Sequence, residues 1–203
     1  GFADSGGVKI HFVATGEGPL LVMLHGFPDY WYTWRNQMPA LAEHFQVVAM
    51  DLRGYNMSDK PEGVESYAMP KLVSDVKAVV EHFGKKQAVI VGHDWGGAIG
   101  LGAALARPDR IARIVLFNTG AFPPPFIPLR IRVCRAPVLG RLALQGLNLF
   151  SLAAIRMAVE DQSRYSPHAC SGLLAASIFA PCISFSCDLN VSTIVSNVLD
   201  AAR

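Results

Sequence analysis

Short apolar runs alternate with helical patterns from the start of the chain to about residue 118. Runs at 8–13, 19–24, 46–50, 88–91 and 113–117 predict strands. The middle ones are almost continuously apolar, as strands covered on both faces must be. Between them, 69–83 and 98–106 carry apolar residues at helical spacing, the first closed by Gly84 and the second by Pro108. Strands alternating with crossover helices predict α/β architecture around a mainly parallel sheet, in a core domain of residues 1–120.

Beyond residue 118 the texture changes. Phe122-Pro123-Pro124-Pro125 and Pro128 break the chain, and residues 129–159 then carry apolar positions at helical spacing with scattered arginines. This predicts a partial helical cap over 121–168, followed by an atypical tail over 169–203 that is rich in Ser, Ala and Cys. Arg130, Arg132, Arg135 and Arg141 read as a solvated face or as cap-to-core contacts rather than as a basic patch. Residues 169–186 hold no charge, but Gly172, Pro181 and several serines argue against a membrane-spanning helix there.

Composition narrows the picture. A chain of 203 residues that is 51% hydrophobic can bury a sizeable core, and a formal net charge of +2 leaves no footprint for nucleic acid or an anionic membrane. The partner expected is a small neutral organic substrate. Cys134, Cys170, Cys182 and Cys187 are irregularly spaced, with no His at zinc-ligand distance from a Cys pair, so they read as reduced thiols of a cytoplasmic protein. No metal or organic cofactor is expected, because no phosphate-cradling glycine loop or convergent His/carboxylate set is visible. The first residues, with neither an initiator Met nor the regions of a secretory signal, read as a trimmed start.

The candidate chemistry sits where the strand at 88–91 runs into Gly92-His93-Asp94-Trp95-Gly96-Gly97 and then a helix, the context of a nucleophile elbow. Small residues two before and two after the central position let backbone approach backbone, so the central side chain projects above the sheet. Here it is the carboxylate of Asp94. A carboxylate attacks saturated electrophilic carbon, opening an epoxide or expelling a halide, and leaves an alkyl ester that water must cleave. That cleavage passes through an oxyanion needing two backbone N–H donors, which points to Trp95 and, on the loop Leu24-His25-Gly26-Phe27-Pro28, to Phe27. Gly26 permits the turn, Pro28 stiffens the chain after it, and His25 reads as structural. The competing reading of Asp94 is a helix-capping carboxylate. His93 is expected to be buried and hydrogen-bonded, not a direct participant. An ordinary esterase is disfavoured, since the elbow offers no Ser or Cys.

The segments His25-Gly26-Phe27-Pro28-Asp29-Tyr30-Trp31-Tyr32-Thr33-Trp34-Arg35 and Asp51-Leu52-Arg53-Gly54-Tyr55, with the elbow, resemble soluble epoxide hydrolases of the α/β-hydrolase superfamily over residues 8–118. The resemblance implies an α/β-hydrolase fold, Asp94 as nucleophile, and a substrate pocket lined by Trp95 and Phe27. Haloalkane dehalogenases are similar at the same elbow, and in them the following Trp helps bind the departing halide, so Trp95 fits both branches. Their second halide-binding residue is often an Asn on the upstream loop, where this chain has the apolar Phe27, which favours the epoxide branch. Residues 117–122 and 140–150 look more like the dehalogenase branch. Epoxide hydrolases also use two cap tyrosines as acids, and Tyr165 is the only tyrosine after residue 67. Fluoroacetate dehalogenases are similar at the elbow too, but theirs resemble His-Asp-Arg, and Trp95 argues against that branch.

Enzymes of this kind need a histidine base and an acid that orients it, downstream of the cap. His168 is the only histidine beyond His93, and neither it nor Asp188 or Asp200 stands in a convincing strand-end loop. The expectation is therefore slow or single turnover, or a fold kept for binding alone, with self-association possible through an exposed sheet edge.

Overall fold

A computed structural model describes residues 1–119 together with Ser196 and Val198. The first strand, β1 (Phe2–Asp4), turns at Ser5-Gly6-Gly7 into β2 (Lys9–Thr15). There follow β3 (Leu20–Leu24), a 3-10 turn (Trp31–Trp34), the short helix α1 (Met38–Leu41), β4 (Gln46–Met50), a second 3-10 turn (Val64–Tyr67) and helix α2 (Met69–His82). The described core ends with β5 (Ala88–His93), helix α3 (Trp95–Ala106) and β6 (Ile111–Phe117). The sheet order is β1-β2-β4-β3-β5-β6, antiparallel across β1/β2 and β2/β4 and parallel from β4 through β3 and β5 to β6.

The continuous apolar runs have the cause the sequence suggested. Leu20, Val22 and Leu24 of β3 join one core layer with Val76, Val79 and Val80 of α2 and Ile99 and Ala103 of α3. Leu21 and Met23 join the opposite layer with Trp34, Met38, Leu41 and Phe45, where Val198 is also buried. Alternate side chains thus serve two covered faces, so no polar alternation survives in the central strands.

Three differences from the sequence reading have physical reasons. β1 is only three residues long, too short to show periodicity, and is held by pairing Phe2, Ala3 and Asp4 with His11, Ile10 and Lys9 of β2. β6 begins at Ile111 rather than 113, joined to β5 with a register irregularity at Ala88/Val89. α3 begins at Trp95 rather than 98, because Gly96 and Gly97 of the elbow are already in its first turn, pressed against neighbouring backbone and side chain. The division expected at residue 120 falls where description stops. The cap over 121–168, the tail over 169–203 apart from Ser196 and Val198, and the four cysteines lie outside the described residues. Among the described residues no helix is long and apolar enough to cross a membrane.

One ion pair ties the loop after β4 to α2. Arg53 donates from Nε to Asp75 Oδ2 at 2.9 Å and from its second terminal nitrogen to Oδ1 at 2.6 Å, while the other terminal nitrogen reaches Ser66 O at 3.0 Å. Both side chains are buried. Planar guanidinium against planar carboxylate satisfies each charge within the protein, but removal of either partner strands the other. Asp75→Ala is therefore expected to destabilise the fold by about 3–5 kcal/mol, and adding Arg53→Met to recover much of that loss. Urea unfolding of the single and double variants checks it. A double variant no more stable than Asp75→Ala would show that the charge is not what the pair protects.

Candidate active site

At the end of β5 the chain reverses into α3 through a single residue. Asp94 has φ 54° and ψ −116°, left-handed backbone that a non-glycine residue adopts only when its surroundings enforce it. The enforcement is visible. Asp94 N donates to Phe117 O at the end of β6 (3.0 Å), and its carbonyl accepts from Gly97 N (3.0 Å), Ala98 N (3.2 Å) and the Thr119 hydroxyl (2.8 Å). A Cβ on Gly92 would fall 2.7 Å from Gly96 O and from Gly97 Cα, and one on Gly96 would collide with the carbonyl oxygens of Leu24 and His25. Glycine at 92 and 96 is thus required by packing.

The second part of the site is on the loop after β3. Register places Leu24 beside Gly92, so the loops that leave β3 and β5 emerge side by side. Phe27 N donates to Asp94 Oδ1 at 3.1 Å. A Cβ on Gly26 would lie 2.6 Å from Asp94 Cβ, so only glycine lets this loop come so close. The turn continues with Asp29 N donating to Gly26 O, across a cis Phe27–Pro28 peptide.

The Asp94 carboxylate makes no N-cap bond to α3, contrary to the capping alternative. It accepts from Phe27 N–H, and the N–H of Trp95, the first residue of α3, also stabilises its charge. Burial raises its pKa to about 6, against the pull of those two donors. A second carboxyl, Asp29, is also pushed by burial up to about 6, against hydrogen bonds from the Thr33 side chain and Tyr30 N–H and the charge of Arg35.

The loop carrying Phe27 is anchored from behind. His25 is fully buried; its Nε2 accepts from Leu52 N at 3.0 Å, which leaves Nδ1–H to donate to Gly26 O at 2.8 Å. Burial lowers the His25 pKa, opposed by the Asp51 charge and the Gly26 bond, consistent with a neutral ring. Asp51 accepts from Trp31 N (2.8 Å) at Oδ1 and from Asn56 Nδ2 (2.8 Å) and His11 Nδ1 (2.7 Å) at Oδ2. The segment Asp51-Leu52-Arg53 therefore holds the site loop, the following 3-10 turn and α2 in one network.

His93 departs from expectation: it is partly buried, but its Nε2 has no hydrogen-bond partner among the described residues. Burial, then His25, lowers its pKa to about 4. Trp95 and Phe27 both pack against the α2/α3 core layer, together with Tyr55, whose ring meets His25 edge-on at 4.9 Å. Burial and the nearby Asp94 charge push the Tyr55 hydroxyl pKa up, so it stays protonated. Tyr55 and Thr119 had no role in the sequence reading, because their relation to Asp94 is made by the fold. His168, Asp188 and Asp200 lie outside the described residues, and among the described residues no group of three or more His, Cys, Asp or Glu could hold a metal ion.

Comparison with known proteins bears on this geometry. The chain is 42% identical over 123 residues to epoxide hydrolase 4 of Mus musculus, covering 60% of this chain and 33% of that protein. It is 36% identical over 166 residues to a cis-3-alkyl-4-alkyloxetan-2-one decarboxylase of Shewanella oneidensis, covering 79% of this chain and 52% of that one. Among solved structures, an epoxide hydrolase from an endophytic Streptomyces superposes with a TM-score of 0.70 at 28% identity, over 95% of this chain and 66% of that one. The chain thus spans between a third and about a half of these two curated relatives. A family model described as the alpha/beta hydrolase fold matches residues 19–136, well over half of the chain, and takes in the β3 loop, the Asp51 segment and the elbow: this chain belongs to the alpha/beta hydrolase fold family.

Proposed function

We propose that Asp94 attacks a saturated, electrophilic carbon of a small neutral organic substrate, an epoxide in first place, to form an alkyl ester on its carboxylate. The N–H groups of Phe27 and Trp95 then hold the oxyanion as water cleaves that ester, and the Trp95 and Phe27 side chains line the pocket. The observation that carries this reading is the environment of Asp94: a carboxylate at a strained elbow, unused as a cap, facing two backbone donors and, among the described residues, no cation. Neutral donors steady the carboxylate without quenching it as a nucleophile, and they suit an oxyanion equally well. His25, with both ring nitrogens engaged, is not free to activate water.

A second reading comes from the Shewanella relative, whose named substrate is a four-membered cyclic ester. An oxetan-2-one, like an epoxide, is a strained ring with an electrophilic saturated carbon bonded to oxygen, so the same nucleophile serves both. The haloalkane reading uses that nucleophile too, with Trp95 beside the departing halide.

Intact-protein mass spectrometry after incubation with styrene oxide, a 3,4-dialkyl oxetan-2-one or a bromoalkane separates the three. The expected result is an adduct of the styrene oxide mass, localised to Asp94 and absent from Asp94→Ala. An adduct from another probe alone would reassign the substrate. Folded protein that is neither modified by nor turns over any of the three would overturn Asp94 as nucleophile.

The pH dependence has a defined sign. Only the carboxylate is nucleophilic, so adduct formation should fall about tenfold per pH unit below about pH 6 and level off above it. Stability runs the other way, because the folded-state pKa lies above the ordinary value of 3.8 and the folded state binds the proton more tightly. Wild type should lose on the order of 2 kcal/mol relative to Asp94→Asn as pH rises from about 4 to about 6, with no further change above. Asp29 titrates in the same range but is common to both proteins, so the difference between their urea unfolding curves isolates Asp94. A difference independent of pH would remove the buried-carboxylate argument.

A further inference from the structure

The hydrogen bond from Thr119 to the elbow comes from outside every motif that carries the site. Thr119 is two residues beyond β6, after Asn118 in left-handed backbone (φ 47°), and its hydroxyl donates to the main-chain carbonyl of Asp94 at 2.8 Å. The contact is built from both sides, since a Cβ on Gly97 would lie 2.6 Å from Thr119 Cβ, and only a glycine there leaves room for the threonine.

The carbonyl that Thr119 grips belongs to the same planar peptide unit as the N–H of Trp95. Whatever holds or polarises that oxygen therefore acts on the donor at the other end of the unit. Rotation of this plane is set by ψ of Asp94, at −116°. The helical bonds from Gly97 N and Ala98 N steady the oxygen from within α3, and Thr119 adds a bond from the end of the neighbouring strand. A hydrogen bond accepted at one end of a peptide strengthens the bond donated at the other.

We infer that Thr119 is a positioning residue for the site: through the Asp94–Trp95 peptide it aims and strengthens the Trp95 N–H that faces the Asp94 carboxylate. The inference rests on the reading of Asp94 and Trp95 given above, but it makes a claim about the carboxylate that holds whether or not any substrate reacts. Less donation from Trp95 leaves the Asp94 carboxylate less stabilised, so it should hold its proton to higher pH. The hydroxyl is what matters. Thr119→Val keeps the shape and removes it, Thr119→Ser keeps it with less bulk, and Thr119→Ala removes both.

The test is the titration of the Asp94 side-chain carboxyl by carbon NMR in uniformly labelled full-length chain, with the resonance assigned through Asp94→Asn and Asp29 as internal control. The expected result is a midpoint raised by roughly half a pH unit in Thr119→Val and Thr119→Ala and returned to the wild-type value in Thr119→Ser, with Asp29 unmoved. A role confined to stability would lower the melting temperature of the variants and leave the midpoint where it was. If Thr119→Val or Thr119→Ala is folded and titrates like wild type at Asp94, the inference is overturned. If the midpoints move as expected but no probe alkylates wild type, the functional reading fails and the positioning role stands.

Discussion

Everything at this site depends on two backbone segments meeting within side-chain contact distance at the carboxyl ends of adjacent parallel strands. The Leu24 and Gly92 register delivers the loop after β3 and the elbow after β5 to the same place, and Gly26, Gly92 and Gly96 are the positions where a methyl group would prevent the meeting. Once the loops are that close, the amide of Phe27 has little choice of acceptor other than the Asp94 carboxylate. The left-handed conformation of Asp94 follows from the same closeness, since the chain must leave β5 and enter α3 within one residue. Strain of this kind costs on the order of 1–3 kcal/mol and persists only where the surroundings over-determine it, as four hydrogen bonds to the Asp94 main chain do here.

The network behind the site explains why the Asp51-Leu52-Arg53 segment matters as much as the loop it serves. It reaches the Phe27 loop through Leu52 N and His25, the following turn through Asp51 and Trp31 N, and α2 through Arg53 and Asp75. A shift of the β4 loop would be felt at the Phe27 amide by way of two hydrogen bonds and a rigid imidazole. This gives buried polar residues, which are expensive to desolvate, a positional purpose.

How much of this was legible in the sequence follows from the range of each interaction. β3, β4 and β5 announce themselves because both faces of each are covered, and the elbow announces itself because its spacing is local. Phe27 and Trp95 were legible as neighbours of Asp94 because they flank recognisable local patterns. β1 was not, since three residues carry no period. The start of α3 was obscured because Gly96 and Gly97 carry no apolar side chain to show helical spacing, their reason being a tertiary contact. Thr119 was invisible for the same cause: a threonine after an apolar run reads as a strand end, and only the pairing of β5 with β6 brings its hydroxyl to Asp94. The Nε2 of His93, without a hydrogen-bond partner among the described residues, likewise has no signature in the letters around it.

Contrast with Asp75 and Asp51 shows how the setting of Asp94 differs. Asp75 meets a guanidinium on both oxygens, and Asp51 is gripped by an amide, a carboxamide and an imidazole. Both are buried with each oxygen engaged by a donor, and a carboxylate so held is closed off from any substrate. Among the described residues Asp94 is met by backbone amides, at Phe27 and Trp95, and burial raises its pKa to about 6 despite them. A cation in their place would steady the charge further but would weaken its attack on carbon and would bind the resting carboxylate at least as tightly as any later oxyanion. Two neutral donors leave the carboxylate charged at neutral pH yet under-satisfied, and in the proposed reaction they are already in position when negative charge gathers on the same carboxyl oxygens during ester cleavage. The geometry that sets Asp94 apart from Asp51 and Asp75 is thus the geometry the proposed chemistry requires.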